Sequence, residues 1–434
     1  MKAFSSHTQF VSWFRHASPY IHAHHGKTFV LSFEGIAVSS TRFRHLIHDI
    51  ALLSSLGIRL VLVHGTRQRI KQNLEERGVT QQYANGMRIT DDTSLEQVKA
   101  ACGQITADIL ALLSMGMTDS PEIYANIRIV SGNFITARPL GIRSGVDFMH
   151  TGEVRRVEAN AIQQQLDNGC IVLISPLGYS PTGEIFNLSV EDVSTSVAIT
   201  LKADKWVSLN ELEQAISDND HLTLQETREL LKNASDADTF RILRGAAHAC
   251  EQGVNRVHLV QRNIDGGLLM ELFSRDGVGT MISADPYEHL RQATIDDVGS
   301  ILNLIAPLEE EGVLVKRSRE KLEMEIGRFV VQERDGTIIA CAALYPYPEE
   351  HMAELACVAV HPDYKGKQRG DALLGFMEKQ ARKNHIHRLF ILTTRTAQWF
   401  QQRGFTQAKL DKLPITRLNL YNYQRLSKIF IKDL

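Results

Sequence analysis

Between Val360 and Leu374 the chain reads His361-Pro362-Asp363-Tyr364-Lys365-Gly366-Lys367-Gln368-Arg369-Gly370-Asp371-Ala372-Leu373. A loop of small residues that opens into a helix aims several backbone N–H groups and the positive helix end at one point. That geometry suits a pyrophosphate. Other chemistry is disfavoured: His22, His24 and His25 lie near one another but lack a matched acidic or cysteine partner, so surface histidines are expected and no metal site. The five cysteines, Cys102, Cys170, Cys250, Cys341 and Cys357, are far apart and show no zinc-type spacing. Buried thiols of a reducing compartment account for them.

Charge narrows the partners. With 48 Lys+Arg against 50 Asp+Glu the formal net charge is −2, so there is no general basic field for nucleic acid or an anionic membrane. Small soluble substrates are expected instead. The N-terminus lacks a signal-peptide pattern and no run approaches the ~18 apolar residues of a membrane span. A cytoplasmic protein is expected.

The elements that must position the loop follow from periodicity. Phe10, Val11, Trp13 and Phe14 precede Pro19 and suggest a short amphipathic lead-in helix within residues 1–27, ended by the proline. From residue 28 apolar runs alternate with helical stretches: Thr28–Phe33, a helix near 41–56, Arg59–Val63, Ile127–Val130, Cys170–Ile174, Lys205–Leu209 and Arg256–Val260. Strands interleaved with helices imply an α/β domain over 28–284 with a largely parallel sheet covered on both faces. The polar stretch 209–228 reads as an insertion or surface hairpin. A boundary falls at Ala284-Asp285-Pro286, and Thr294-Ile295-Asp296-Asp297 caps the first helix of a second domain, 288–434. There a hairpin turning at Asp335-Gly336 precedes a strand at Glu354–Val360, the loop, a helix near 370–384, a strand at 389–393, a helix at 397–403 and a last strand at 428–431.

That order, with the loop between strand and helix, resembles the GCN5-related N-acetyltransferase fold, an α+β domain. Glu354-Leu355-Ala356-Cys357-Val358-Ala359-Val360, Leu392-Thr393-Thr394-Arg395-Thr396-Ala397-Gln398-Trp399-Phe400, Gly312-Val313-Leu314-Val315-Lys316-Arg317-Ser318 and Leu420-Tyr421-Asn422-Tyr423-Gln424-Arg425-Leu426-Ser427 narrow the resemblance to bacterial N-acetylglutamate synthases. It implies acetyl-CoA as co-substrate with no permanent cofactor, bound by Cys357, Val358, Val360, Lys365, Gly366, Gln368, Arg369, Gly370 and Asp371. Lys365 and Gln368 depart from the family's loop pattern. It further implies Glu354 as general base, Thr393 or Tyr421 as the donor of a proton to the leaving thiolate, and Lys316, Arg317, Arg425 and Ser427 around the two carboxylates of L-glutamate. Glu354 is expected on one strand face with Ala356, Val358 and Val360. The implied reaction opens arginine biosynthesis.

Residues 28–284 resemble the amino-acid kinase fold, carried by Leu60-Val61-Leu62-Val63-His64-Gly65, Gly86-Met87-Arg88-Ile89-Thr90-Asp91, Ser131-Gly132-Asn133-Phe134 and Gly183-Glu184-Ile185-Phe186-Asn187. A working kinase of that family has a lysine and paired glycines on its first strand, where this chain has Leu31-Ser32-Phe33-Glu34-Gly35. Serine cannot neutralise a transferring phosphoryl group, and Glu34 opposes it. The resemblance therefore implies binding without phosphoryl transfer: L-arginine as inhibitor at Tyr20, Lys205, His258, Glu271 and Gly277, within a homo-hexamer. The competing readings are an active kinase with an accessory acetyl-binding domain, and a non-catalytic sensor or an acetyltransferase acting on protein lysines or another amine.

Overall fold

In a computed structural model the chain forms two units, Met1–Asp285 and Pro286–Leu434. The structure describes residues 7–34, 41–84, 86–115, 127–211, 216, 219–234, 236–284, 288–334, 336–365, 369–422 and 425–434.

The first unit is built on eight strands: β1 (Thr28–Phe33), β2 (Arg59–His64), β3 (Ile129–Ser131), β4 (Ile171–Ile174), β5 (Lys205–Asn210), β6 (His221–Thr223), β7 (Arg256–Gln261) and β8 (Thr280–Ser283). They lie in the order β6-β8-β7-β5-β1-β2-β4-β3, parallel throughout except where β7 meets β8. Alternate residues feed two cores, as the period-2 geometry of a strand requires. Val30, Val61, Val172, Trp206 and Val257 pack on one face, and Phe29, Leu31, Leu60, Leu62, Val207 and Leu209 on the other.

Three expectations change here. Helix α1 runs His7–His24 straight through Pro19. A proline removes one i→i−4 bond, and burial of Ala17 and His24 holds the helix beyond it. His24 is accordingly no surface residue: its Nε2 donates to the Leu272 carbonyl at 2.8 Å, and its ring packs on Phe29 and Phe273. His22 and His25 are exposed. In the stretch 209–228, the strand β6 pairs parallel with β8. A helix, Leu224–Asn233, follows it and is opened by a Thr223/Glu226 capping box.

The second unit carries β9 (Glu288–Gln292), β10 (Phe329–Arg334), β11 (Thr337–Tyr347), β12 (Met352–Val360), β13 (Arg388–Thr393), β14 (Thr406–Ala408) and β15 (Lys428–Asp433) in the order β9-β10-β11-β12-β13-β15-β14. Only β12 and β13 run parallel. One face is covered by α2 (Arg369–Lys383) through Leu373, Leu374 and Met377, and the other by a helix Val298–Glu310 through Val298, Ile301 and Ile305.

Candidate active site and regulatory site

Strand β12 is interrupted. Its register with β11 slips between Cys341 and Ala343, and Cys357 takes a left-handed backbone at φ 53. An extra residue in one strand changes which face every later side chain meets. Ala353 and Leu355 therefore pack toward α2 and Cys357 and Ala359 toward the opposite core, while Val358 and Val360 turn to the α2 side. Glu354 and Ala356, paired with Tyr345 and Ala343, lie on the face away from α2. The expectation that Glu354 shares a face with Val358 and Val360 fails for this reason. The bulge also takes Cys357 out of regular pairing, and β12–β13 pairing stops at Glu354 with Phe390 although both strands continue. Past that point the backbone groups of the two strands are not paired with each other.

Glu354 is part-buried, and Arg417 grips it in a fork, Nε to Oε2 at 2.5 Å and Nη2 to Oε1 at 3.1 Å. Arg417 also donates to the Leu420 carbonyl at 3.2 Å. Sequence reading missed Arg417, which stands in an ordinary helical turn with no motif around it. The Tyr421 hydroxyl donates to the Ser427 carbonyl at 2.8 Å. Thr393 Oγ1 lies 2.8 Å from Thr396 Oγ1 and accepts from the Thr396 N–H at 3.1 Å.

Arg317 and Arg425 both reach the segment Gly312–Val315. Burial first, and then the Arg317 charge, holds the Arg425 guanidinium below its ordinary value. Arg425 Nη2 donates to the carbonyls of Gly312 and Val313. Arg317 donates through Nη1 to the Val315 carbonyl at 3.0 Å, and its backbone N–H is held by Glu309 Oε1 at 3.0 Å. It also neighbours Tyr345 and Cys357. Lys316 is exposed and Ser427 half-buried.

At the loop, Lys365 is exposed, while Gly366 and Gln368 lie outside the described residues. Gly370 abuts Trp399, where a Cβ would come within 2.9 Å of the indole. Asp371 is taken by Arg403, whose Nη2 donates to Oδ2 at 3.0 Å. Arg369 turns inward and is buried against Glu288, so of this residue only the backbone N–H is left to face the helix mouth. Its own hydrogen bonds consume the fork.

In the first unit, Lys205, His258, Glu271 and Gly277 form one cluster. Lys205 Nζ donates to His258 Nε2 at 3.2 Å and His258 Nδ1 donates to Glu271 Oε1 at 2.6 Å. Burial, then the Lys205 charge, pushes the imidazole below its ordinary value. Burial alone would raise Glu271. The His258 hydrogen bond and the N–H groups of Val278 and Gly279, at 2.8 and 2.7 Å, outweigh it and bring the carboxyl to about 2. Gly277 has φ 66, and a Cβ there would fall 2.4 Å from Glu271 Oε2. Tyr20 stands on α1 with its ring 6.3 Å from His24.

The kinase positions are spent on packing. Ser32 Oγ donates to Ser208 Oγ at 3.0 Å and accepts from Trp206 Nε1 at 2.9 Å. Glu34 presses on Gly65, and burial raises its carboxyl to about 7. Among the described residues no group of three or more His, Cys, Asp or Glu could hold a metal ion, and no helix is long and apolar enough to cross a membrane.

Comparison with known proteins fits this division. Residues 27–261 match the amino acid kinase family and residues 298–405 the acetyltransferase (GNAT) family. The amino-acid acetyltransferases of Yersinia pseudotuberculosis and Yersinia pestis are 49% identical over 437 residues, covering 98% of this chain and 99% of theirs. N-acetylglutamate synthase from Neisseria gonorrhoeae, crystallised with coenzyme A and L-arginine, is 38% identical with a TM-score of 0.89 over 98% of this chain and 99% of its own. The same enzyme with coenzyme A and N-acetyl-glutamate gives 39% and 0.63 at the same coverage.

Proposed function

The chain belongs to the amino-acid acetyltransferase family, and from that premise we propose that it moves the acetyl group of acetyl-CoA onto the α-amino group of L-glutamate, releasing N-acetyl-L-glutamate and CoA. The observation that carries the acceptor is that the Arg317 and Arg425 guanidinium groups both bond to the segment Gly312–Val315. Two guanidinium groups anchored on one short segment suit a ligand bearing two carboxylates. Lys316 and Ser427 complete that site.

An amine attacks a thioester only when neutral, so a base must take its proton. Glu354 is that base, acting through water from the face away from α2, with Arg417 fixing its carboxylate. N–H groups at the Cys357–Val358 bulge polarise the thioester carbonyl. The departing thiolate takes its proton from one of two hydroxyls, Thr393 or Tyr421. The pyrophosphate of acetyl-CoA sits on the loop from Lys365 through Gly366 and Gln368 and on the backbone N–H groups at the start of α2, with Val360 and Asp371 flanking it.

The kinase-like unit is regulatory in this reading, and L-arginine is its ligand at Tyr20, Lys205, His258, Glu271 and Gly277. The crystallised relative bound to L-arginine supports this. The exposed stripe Phe10, Trp13 and Phe14 on α1, each about half accessible, supports assembly into a cytoplasmic homo-oligomer, with a hexamer expected. Release of CoA thiol, measured with each amino acid in turn, tests the acceptor. Glutamate should far exceed aspartate, glutamine and lysine, and equal rates with glutamine would overturn the two-carboxylate argument.

A further inference from the structure

Glu288 opens β9, and its carboxylate collects four hydrogen bonds from three side chains. Arg369 donates Nε to Oε2 at 2.8 Å and Nη2 to Oε1 at 2.5 Å, Arg334 donates Nη1 to Oε1 at 3.0 Å, and Gln332 donates Nε2 to Oε2 at 3.0 Å. The remaining arm of the Arg369 fork, Nη1, donates to the Tyr364 carbonyl at 3.2 Å. Both guanidinium groups lie over the Tyr364 ring, at 5.1 Å for Arg369 and 5.3 Å for Arg334. Tyr364 and Arg369 stand on either side of residues 365–368. One buried guanidinium thus ties the two flanks of the loop to each other and to β9.

Strand pairing does not require this cluster. β9 is already held to β10 by five consecutive register pairs, Glu288 with Arg334 through Gln292 with Val330. Buried ion pairs are poor sources of stability relative to apolar packing, and are better at fixing one arrangement. The arrangement fixed here is the distance between Tyr364 and the first turn of α2. We propose that Glu288 is a positioning residue for the coenzyme. Through Arg369 it fixes the first turn of α2 against Tyr364, so that the backbone N–H groups at the start of α2 are placed before the ligand arrives. This rests on the reading of the loop as the coenzyme site.

Calorimetry with coenzyme A on the full chain tests it, using Glu288→Gln, Arg369→Gln and the double variant, with steady-state kinetics alongside. Removing the charge weakens charge-assisted bonds, so CoA affinity should fall about ten- to hundredfold. The acetyl-CoA KM should rise in parallel, with the glutamate KM and kcat at saturating acetyl-CoA within about twofold. The double variant should lose no more than the worse single one, since the two residues act as one unit. Arg369→Lys, which keeps the charge and loses the fork, should also weaken CoA and serves if the glutamine variants do not fold. Unchanged CoA affinity in Glu288→Gln and Arg369→Lys, or equal losses in both KM values and kcat, would overturn the positioning role. Wild-type protein that binds no CoA would instead overturn the reading of the loop itself.

Discussion

Replacing Glu271 by glutamine keeps the size of a side chain whose two oxygens serve three donors: His258 Nδ1 at 2.6 Å and the N–H groups of Val278 and Gly279 at 2.8 and 2.7 Å. An amide has one acceptor oxygen, so if that oxygen stays with the two N–H groups, its NH2 faces the His258 N–H, donor against donor. The imidazole cannot escape by changing tautomer, because its Nε2 already accepts from Lys205. One charge-assisted bond is lost, worth about 1.5–3 kcal/mol, along with the only negative charge in the cluster that an arginine guanidinium would meet. L-arginine affinity should fall by about ten- to a hundredfold on the scale of 1.4 kcal/mol per decade. The assay is calorimetric titration of L-arginine into wild-type and Glu271→Gln protein, paired with CoA-release rates across an arginine series. Basal rates should match, since Glu271 belongs to the other unit. Wild-type binding of arginine with an unchanged Kd in the variant would refute the role given to Glu271.

Glu354→Gln should lower kcat by about 10²–10⁴-fold, the range for a general base, with CoA affinity retained; a near-normal rate at neutral pH moves the base elsewhere. No ATP-dependent phosphorylation of N-acetylglutamate should be detectable, because Ser32 is bound by Trp206 and Ser208 and Glu34 occupies the approach at Gly65; turnover of about 1–100 per second, ordinary for a kinase, would contradict this. Glu271 sits at about 2 in the folded chain against an ordinary 4.5, so the stability it contributes is present above pH 4.5 and lost as pH falls toward 2. The thermal midpoint of the kinase-like unit should drop through that window, and Glu271→Gln should flatten the drop; parallel profiles would count against the assignment.

Much of this was legible in the residues. The runs at Thr28–Phe33, Arg59–His64 and Lys205–Asn210 are buried along nearly their whole length, so an unbroken apolar stretch reported them directly. The capping signal at Thr294 is formed as its spacing implied. An equivalent signal at Thr223 and Glu226 opens a helix, but it lies in a polar stretch whose weak periodicity reads equally as an insertion or a surface hairpin. Pro19 misled for the opposite reason. A local rule about one missing donor gave way to burial of Ala17 and His24, which no local pattern reports. Arg417 and Glu288 carry no motif because their importance comes from partners 63 and 81 residues away in sequence.

The kink at Cys357 has a consequence for how this strand can change over evolutionary time. In a regular strand the loss of one residue turns every later side chain to the other face, so the count of residues between Glu354 and the loop encodes which side of the sheet each will meet. Deleting a single position at Cys357 would regularise the ladder with Ala342 and relieve a left-handed backbone. The same deletion would leave Glu354 and the Val358–Val360 segment on the faces they already meet, because Cys357 is the extra residue, and would remove only the backbone groups that the bulge holds outside the ladder. The irregularity behaves as a phase marker: loss of Cys357 itself should keep every face, whereas a one-residue insertion or deletion elsewhere between Glu354 and Val360 should be accepted far less readily than point substitutions along β12.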